Sequence, residues 1–172
     1  MRHIIGILLQ NEAGALMRVA GLFSTRGYNI ESLNVAPTHD PAVSRLTLVT
    51  EGSDAVIQQI VSQLCKLVDA VNVEDMTCDK HVERELLLIK VRVAADQEDG
   101  LRGAVGRAGG KVLSVTADCH IVELTSSEGQ IDSFIREAAE CGEILEVLRS
   151  GVLGISRGEH VLQSAMAREP AA

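Results

Sequence analysis

The residues best suited to ligand chemistry lie in a short segment, NEAGAL (Asn11–Leu16), between an apolar stretch and a stretch with helical periodicity. The first turn of a helix has free backbone N–H groups, and together with the helix dipole these favour a bound carboxylate. Gly14 has no Cβ, so a ligand can approach the backbone closely there. The Asn11 amide donates and accepts hydrogen bonds, so it can hold a carboxylate or an ammonium group. The segment is therefore a candidate site for the polar end of an amino acid.

A second asparagine, Asn29, follows the predicted helix and offers the same hydrogen-bonding capacity. We expect it at the start of the next strand, close to the first strand in the predicted topology. Aliphatic walls and a few polar groups are together what a small-molecule pocket needs. The aliphatic residues around the two asparagines are Leu9, Leu16, Ile30, Val35 and Ala36. Spacing alone leaves a simpler interpretation open, in which Asn11 is only a helix cap, Gly14 is tolerated in the first turn and Asn29 is a turn residue.

The elements that would position these residues follow a definite order in the first half of the chain. The strand RHIIGILL precedes a helix with apolar residues at i, i+3, i+4 and i+7, and Gly27 is expected to end this helix in a left-handed conformation. NIESLNVA and SRLTLVT predict two further strands, joined by the turn THDPAV. Ser53 or Asp54 starts a second helix, whose apolar stripe extends to Val68, and AVNVEDM closes as a fourth strand. The order is β-α-β-β-α-β.

The second half predicts the same order. RELLLIKVRV is a strand, EDGLRGAVGRAGG a short helix, KVLSVTA and CHIVELT a hairpin, EGQIDSFIREAAE a helix, and EILEVLRSGVLGISRG a last strand that runs into a glycine-punctuated tail. The predicted division is a first domain at 1–77, a linker at 78–83, a second domain at 84–160 and a flexible tail at 161–172. Because the two halves share the order of their elements and not their residues, two unrelated α+β folds remain an alternative.

A β-α-β-β-α-β unit of this length predicts a four-stranded antiparallel sheet with both helices on one face. The predicted fold class is therefore α+β, with two ferredoxin-like domains. The strand HIIGILL is apolar on both faces, which is unusual for a sheet with one face in water. The other face and the sheet edges need a cover, which pairing or stacking with a second copy would supply. We expect the chain to form a homodimer.

Composition and charge narrow the class of function. The net charge is −8 and the aromatic residues are only Phe23, Tyr28 and Phe134, so the chain lacks the basic surface and the stacking residues that nucleic acids require. No apolar run reaches the roughly 20 residues that span a bilayer, and the start has no signal-peptide cleavage site. The four cysteines form no C-x-x-C pair, which is typical of reduced thiols. We predict a cytoplasmic protein with no nucleic-acid and no membrane partner.

Motifs for catalysis or metal binding are missing from the sequence. The five histidines are not spaced as metal ligands with one another or with cysteine. No P-loop, dinucleotide fingerprint or nucleophile elbow is found. The glycines of AVGRAGG follow a helix instead of preceding one, so they indicate a turn. The sequence predicts no catalytic residue, no metal ligand and no cofactor on this chain.

Longer stretches of the sequence resemble a known family. LLQNEAGALMRVAGLFSTRGYNIESLNVAPTHDPAVSRLTLVT resembles the N-terminal ACT domain of the small, regulatory subunit of acetolactate (acetohydroxyacid) synthase. The resemblance continues through VIQQIVSQLCKLVDAVNV, HVERELLLIKV and EVLRSGVLGISRGE, and so covers the chain up to about Glu159. The second half departs more from the pattern, and AADQEDGLRGAVGRAGGKVLSVTADCH has no contacts that we can assign.

The resemblance implies an effector site and a partner. Branched-chain amino acids, valine above all, are implied to bind between two ACT domains at a dimer interface. The subunit is implied to raise the activity of a separate catalytic large subunit and to make it sensitive to the end product, with thiamine diphosphate, Mg²⁺ and FAD on that partner. The effector positions implied here are Asn11, Gly14, Ala15 and Leu16 in the first loop and helix turn, Asn29 and Ile30 opposite, and Val35 and Ala36 nearby.

Our hypothesis for the mechanism is that valine bridges the NEAGAL turn of one protomer and the Asn29 segment of the other. The preference among valine, leucine and isoleucine does not follow from the sequence, because one methylene changes binding by only about 1–3 kcal/mol. A stand-alone amino-acid-sensing protein that acts on a different target is an alternative function. A small enzyme on the same scaffold is a third, which the lack of a catalytic constellation disfavours.

Overall fold

The computed structural model describes residues 1–78 and 81–163, which form two compact units. The first unit comprises residues 1–82 together with the segment from Val152 onward, and the second comprises Glu83–Gly151. The elements of the described residues are β1 (Arg2–Gln10), α1 (Ala15–Arg26), β2 (Ser32–Pro37), β3 (Val43–Glu51), α2 (Asp54–Leu64), β4 (Ala70–Asp75), β5 (His81–Arg92), α3 (Glu98–Ala108), β6 (Lys111–Thr116), β7 (Cys119–Ser126), α4 (Glu128–Cys141), β8 (Glu143–Arg149) and β9 (Leu153–Ser156).

The first unit has a four-stranded antiparallel sheet in the order β2-β3-β1-β4. Side chains alternate between the two faces along each strand, so alternate residues of β1, from Ile5 to Leu9, face α1 and α2. The core between sheet and helices is aliphatic apart from Phe23, and each fully buried Leu or Ile contributes roughly 1.5–3 kcal/mol. This βαββαβ arrangement confirms the predicted fold of the first half.

The opposite face of the first sheet is also apolar, and the C-terminal segment of the same chain covers part of it. Ile4, Val49 and Met76 form a second buried cluster with Val152. A Cβ on Gly154 would lie 2.7 Å from Ile4 Cδ1 and 2.9 Å from Met76 Cε, so glycine permits this close approach of β9. The segment thus supplies part of the cover for which we expected a second copy.

The second unit repeats the topology, with a sheet in the order β6-β7-β5-β8. Its core packs α3 and α4 against one face of this sheet and includes Phe134. Gly109 follows α3 in the left-handed conformation (φ 73°), as the glycine pair at the end of the predicted helix suggested. Buried Glu85 on β5 accepts hydrogen bonds from Arg149 on β8, which ties two neighbouring strands together. The chain therefore contains two ferredoxin-like domains, as predicted.

Two element boundaries in the first unit differ from the prediction. β2 begins at Ser32, so Asn29 precedes the strand instead of starting it. α2 ends at Leu64, and Val68, which was expected to extend the apolar stripe of this helix, is 81% exposed. Beyond Leu64 the backbone bonds change to i→i−3 spacing, from Leu67 N–H to Leu64 O for example, and this tighter turning ends the α-helix.

The division of the chain also differs from the prediction. We assigned 84–160 to the second domain, but the residues from Val152 belong to the first unit, where Val152 is 3% exposed against the apolar face of that sheet. Residues 81–83 of the predicted linker are part of β5. Asp79 and Lys80 of that linker, and 164–172 of the predicted flexible tail, lie outside the described residues.

Candidate functional site

The turn between β1 and α1 is held against the turn between β2 and β3. The backbone N–H of Asn11 donates to Ala42 O at 2.8 Å, and its Nδ2 donates to Pro41 O at 2.9 Å. Asn11 Oδ1 accepts a hydrogen bond from Ser44 Oγ at 3.2 Å. The Asn11 amide therefore shapes the turn inside one protomer. Because the side chain is exposed, its oxygen can accept one further hydrogen bond from a ligand.

Gly14 is the N-cap residue of α1 and has a left-handed backbone (φ 88°), which glycine adopts at little cost. No side chain makes a capping hydrogen bond at this helix start, and the first turn has no acidic residue. The positive end of the helix dipole is therefore not neutralised by the first turn itself. These features are those of a helix start that can accept an anion, as the NEAGAL pattern predicted.

An ion pair for which the sequence gave no signal lies next to this turn. Arg18 on α1 makes two hydrogen bonds to the carboxylate of Asp69, from Nη2 to Oδ1 at 2.6 Å and from Nε to Oδ2. Asp69 is buried, and its backbone oxygen accepts a hydrogen bond from Gln10 N–H at 2.8 Å. The hydrogen bonds from Arg18 hold the pKa of Asp69 below its ordinary value. The pair ties the first turn of α1 to the end of β1 and the start of β4.

Within one protomer, Asn29 lies far from the β1–α1 turn. Gln10 pairs with Val43 at one end of the β1–β3 ladder, and His3 pairs with Thr50 near the other end. The Asn29 backbone oxygen accepts a hydrogen bond from Thr50 Oγ1 at 2.6 Å, so Asn29 is at this second end. The strand between Thr50 and Val43 spans about 20 Å. Asn29 is thus close to the start of the first strand, and a single protomer does not bring it to the NEAGAL turn.

The predicted aliphatic walls of the site are partly core residues. Leu9 and Ala15 are each 2% exposed and belong to the core between the first sheet and its helices. Leu16 and Ile30 are partly buried and pack against the same core. The expectation that Leu9 faces a ligand is wrong for a single protomer, because its side chain points to the helix side of β1.

Val35 and Ala36, the remaining predicted wall residues, are exposed on β2. β2 is the outermost strand at one edge of the first sheet and, in the described part of the chain, pairs only with β3. The outer side of such a strand presents backbone groups that a strand of another chain can pair with. Val35 and Ala36 are therefore the predicted site residues that a second copy would reach first.

Searches for other kinds of site are negative within the described residues. No group of three or more His, Cys, Asp or Glu side chains among residues 1–78 and 81–163 could hold a metal ion. In the same residues, no helix is both long and apolar enough to cross a membrane. Cys65, Cys78, Cys119 and Cys141 are free thiols.

Comparisons with known proteins cover both units. A family model described as AHAS small subunit-like ACT domain matches residues 5–72, and one described as small subunit of acetolactate synthase matches residues 84–158. The acetolactate synthase isozyme 3 small subunit of Escherichia coli (strain K12) is 44% identical over 163 residues, which are 95% of this chain and 100% of that protein. The probable acetolactate synthase small subunit of Archaeoglobus fulgidus is 38% identical over 158 residues, covering 92% and 98% of the two chains.

A solved structure supports the same assignment. The crystal structure of the acetolactate synthase small subunit from Thermotoga maritima matches with a TM-score of 0.84 at 32% identity, over 93% of this chain and 99% of that one. Two βαββαβ units and an ACT-type N-terminal domain define the class of ACT-domain regulatory proteins. The matches extend over nearly the full length of each relative. The chain belongs to the family of acetolactate synthase small subunits.

Proposed function

We propose that this chain is the regulatory subunit of acetolactate synthase in branched-chain amino acid biosynthesis, where it activates the catalytic large subunit and confers feedback inhibition by valine. Family membership supports the pairing with a catalytic subunit, since the relatives are themselves small subunits of this enzyme. In this proposal the chain is non-catalytic, thiamine diphosphate, Mg²⁺ and FAD are held by the catalytic partner, and the complex works in the cytoplasm.

The edge strand β2 is the observation that carries the effector site. Asn29 precedes this strand, and Pro37 at its other end pairs with Ser44, whose hydroxyl contacts Asn11. If two copies pair their β2 edges about a two-fold axis, the strands run antiparallel and opposite ends meet. The Asn29 end of one protomer then lies beside the β1–α1 turn of its partner. The two polar halves that one protomer keeps apart are joined by dimerisation.

The chemistry of the joined halves fits a zwitterionic aliphatic ligand. The valine carboxylate accepts hydrogen bonds from the start of α1 at Gly14, where the helix dipole is favourable. The Asn29 amide of the other protomer accepts a hydrogen bond from the ammonium group. Exposed Val35 and partly buried Leu16 and Ile30 supply the aliphatic surface.

Feedback inhibition requires that the effector alter a catalytic subunit it does not touch. Such coupling is typically about 1–3 kcal/mol and is reciprocal, so binding of the catalytic subunit changes the affinity for valine by the same factor. A ligand held by both protomers favours the dimer arrangement that it contacts best. Valine therefore stabilises one arrangement of the two β2 edges, in which the catalytic subunit is less active.

Gly14→Asp tests the site in the enzyme reconstituted from this chain and the catalytic subunit. The new carboxylate lies where the carboxylate of valine must bind, so we expect activation of the catalytic subunit to persist and inhibition by valine to be lost. The measurements are acetolactate formation at increasing valine concentration and calorimetric titration of the regulatory chain with valine. Gly14→Asn is the matched control, because it has the same shape without the charge and asparagine also tolerates a left-handed backbone.

Gly14→Asn is expected to keep more of the valine response than Gly14→Asp. Full inhibition of the Gly14→Asp enzyme by valine would show that the site is elsewhere. A wild-type chain that fails to raise the activity of the catalytic subunit would reject the regulatory role itself and favour the stand-alone sensor.

A further inference from the structure

A cavity of about 580 Å³ lies on the first unit, on the face of its sheet opposite the helices. Side chains of β1, β3 and β4 line one side, and the C-terminal segment, residues 154–163, lines the other. The volume lies within the range of small-molecule pockets, about 300–1,000 Å³. The apolar side chains of the lining are those of Leu8, Val43, Ile155, Val161 and Leu162.

Arg45, on β3, lines this cavity without a carboxylate partner among the described residues. Its Nη2 atom has only long contacts, 3.5 Å to Met76 Sδ and 3.4 Å to Gly154 O. A Cβ on Gly6 would lie 2.5 Å from Nη2, so this glycine makes room for the guanidinium against β1. Burial lowers the pKa of Arg45 below its ordinary value, as expected for a cation that has lost water without gaining a full partner.

Glu74, on β4, lines the same cavity and is satisfied at only one of its two oxygens. Oε1 accepts a hydrogen bond from Ser156 Oγ at 3.0 Å and lies 2.8 Å from His160 Nε2. Oε2 is buried and has no hydrogen-bond partner in the described part of the chain, and the side chain as a whole is 11% exposed. A buried carboxylate oxygen without a donor is costly, so it marks a place where a ligand or water supplies one.

Opposite charges that share a cavity usually pair with each other, because pairing offsets the loss of hydration. Arg45 and Glu74 influence each other electrostatically and yet form no ion pair. An unpaired guanidinium and an unpaired carboxylate oxygen fit a ligand that carries one group of each sign. The apolar lining fits a ligand with an aliphatic body.

We propose that this cavity binds a small aliphatic amino acid within a single protomer, as a second site separate from the one at the β2 edge. The ligand carboxylate pairs with Arg45, the ammonium group donates to Glu74 Oε2, and the side chain contacts Leu8 and Val43. Because residues 154–163 form one wall, an occupied cavity holds the C-terminal segment on the sheet.

Calorimetric titration of the full-length Gly14→Asp chain tests the second site in a background that removes the proposed interface site. The probes are leucine, its analogue without the amine (4-methylpentanoate) and its analogue without the carboxylate (3-methylbutylamine). We expect one leucine per protomer, and binding of each analogue at least about tenfold weaker, because each loses one charge-assisted hydrogen-bonding group.

Two substitutions assign the polar contacts. Arg45→Met should weaken leucine binding at least about tenfold. Glu74→Gln should bring the affinity for leucine down to that for 4-methylpentanoate and leave the affinity for this analogue unchanged. Arg136→Met is the matched control, because it removes the same charge from an exposed position on α4 of the second unit, and it should leave leucine binding unchanged.

Amide hydrogen exchange gives a readout that does not depend on enzyme activity. Leucine should slow exchange in residues 154–163 of the Gly14→Asp chain and have no such effect when Arg45→Met is added. The proposal is overturned if none of the probes binds this chain, or if leucine binds equally well after Glu74→Gln and after Arg45→Met. If Arg45→Met does not fold, Glu74→Gln and the exchange data decide. Inhibition of the wild-type enzyme by valine is a separate measurement, so the two sites can fail independently.

Discussion

Arg18 and Asp69 are 51 positions apart in the sequence, and their ion pair connects the first turn of α1 to the buried start of β4. Asp69 also accepts the backbone N–H of Gln10, the last residue of β1. Three elements therefore meet at one carboxylate beside the candidate effector turn. The pair is a structural support for the turn, since Arg18 is already occupied by two hydrogen bonds.

Asp69→Asn should make the protein less stable at neutral pH. The pKa of Asp69 is lower in the folded than in the unfolded chain, where it is about 3.9. The pair therefore contributes stability above about pH 4, and this contribution is lost as the pH falls through the lowered folded-state pKa. Thermal unfolding at pH 7 and pH 3 should show a lower Tm for the variant at pH 7 and a smaller difference at pH 3.

Asp132→Asn is the matched control for this experiment, because Asp132 forms an exposed ion pair with Arg149 and should matter little at either pH. An equal Tm difference for Asp69→Asn at both pH values would contradict an ionised, paired Asp69.

The sequence identified Asn11 and Gly14 as unusual because both are polar or conformational exceptions at a strand–helix junction. It could not show that the Asn11 amide is used to hold the turn at Pro41, since that contact joins two loops. Arg18 and Asp69 gave no local signal, because each is ordinary at its own position. Residue types predict candidates, and long-range contacts decide their roles.

At the scale of elements, α1 is bounded by two left-handed glycines. Gly14 precedes it with φ 88°, and Gly27 follows it with φ 67° and donates its N–H to Phe23 O or Ser24 O. Other residues pay a conformational penalty at both positions. The helix therefore starts and stops at fixed residues, which fixes the direction of its N-terminus relative to β1.

Gly27→Ala and Gly21→Ala should change stability in opposite directions. Gly27 needs a left-handed backbone, so alanine should destabilise the protein by about 1–2 kcal/mol. Gly21 lies inside α1 and a Cβ there would meet no atom within 4 Å, so alanine should stabilise it by roughly 0.5–1 kcal/mol. Denaturant unfolding of the two variants measures both values. Shifts of the same sign would show that α1 does not control these glycines as described.

Periodicity predicted α1 to α4 and the first eight strands in the right order, because each buries one regular face. It missed β9, since LGIS is a four-residue strand with a glycine and has no period to detect. It also placed the end of α2 too late, because Val68 continues the helical spacing although the backbone has already turned. The ends of elements depend on contacts that a local pattern does not contain.

At the scale of the whole molecule, the two faces and edges of the first sheet have different partners. Helices cover one face, and part of the other face is covered by the segment that begins at Val152. The outer edge of β2 has no strand beside it in the described chain. The sequence predicted that this sheet needs further cover, but it could not say which part the chain itself supplies.

Val35→Lys should weaken the dimer and the binding of valine. Val35 is 37% exposed on the β2 edge, and two lysines placed at a two-fold interface repel each other. Val115→Lys is the matched control, because Val115 is 46% exposed on β6, an edge strand of the second sheet. Sedimentation and calorimetry should show a weaker dimer and lower valine affinity for Val35→Lys only. An unchanged dimer with unchanged valine binding would exclude the β2 edge as the interface.

The return of the chain to its first unit has a consequence during synthesis. Val152 completes the buried cluster of Ile4, Val49 and Met76, so a nascent chain that ends at residue 151 leaves that cluster open. The ribosome has by then made all of the second unit, and domains fold as their sequences emerge. The N-terminal unit is therefore the first to begin folding and the last to finish. Until its closing segment emerges, its exposed apolar face is a natural target for a chaperone.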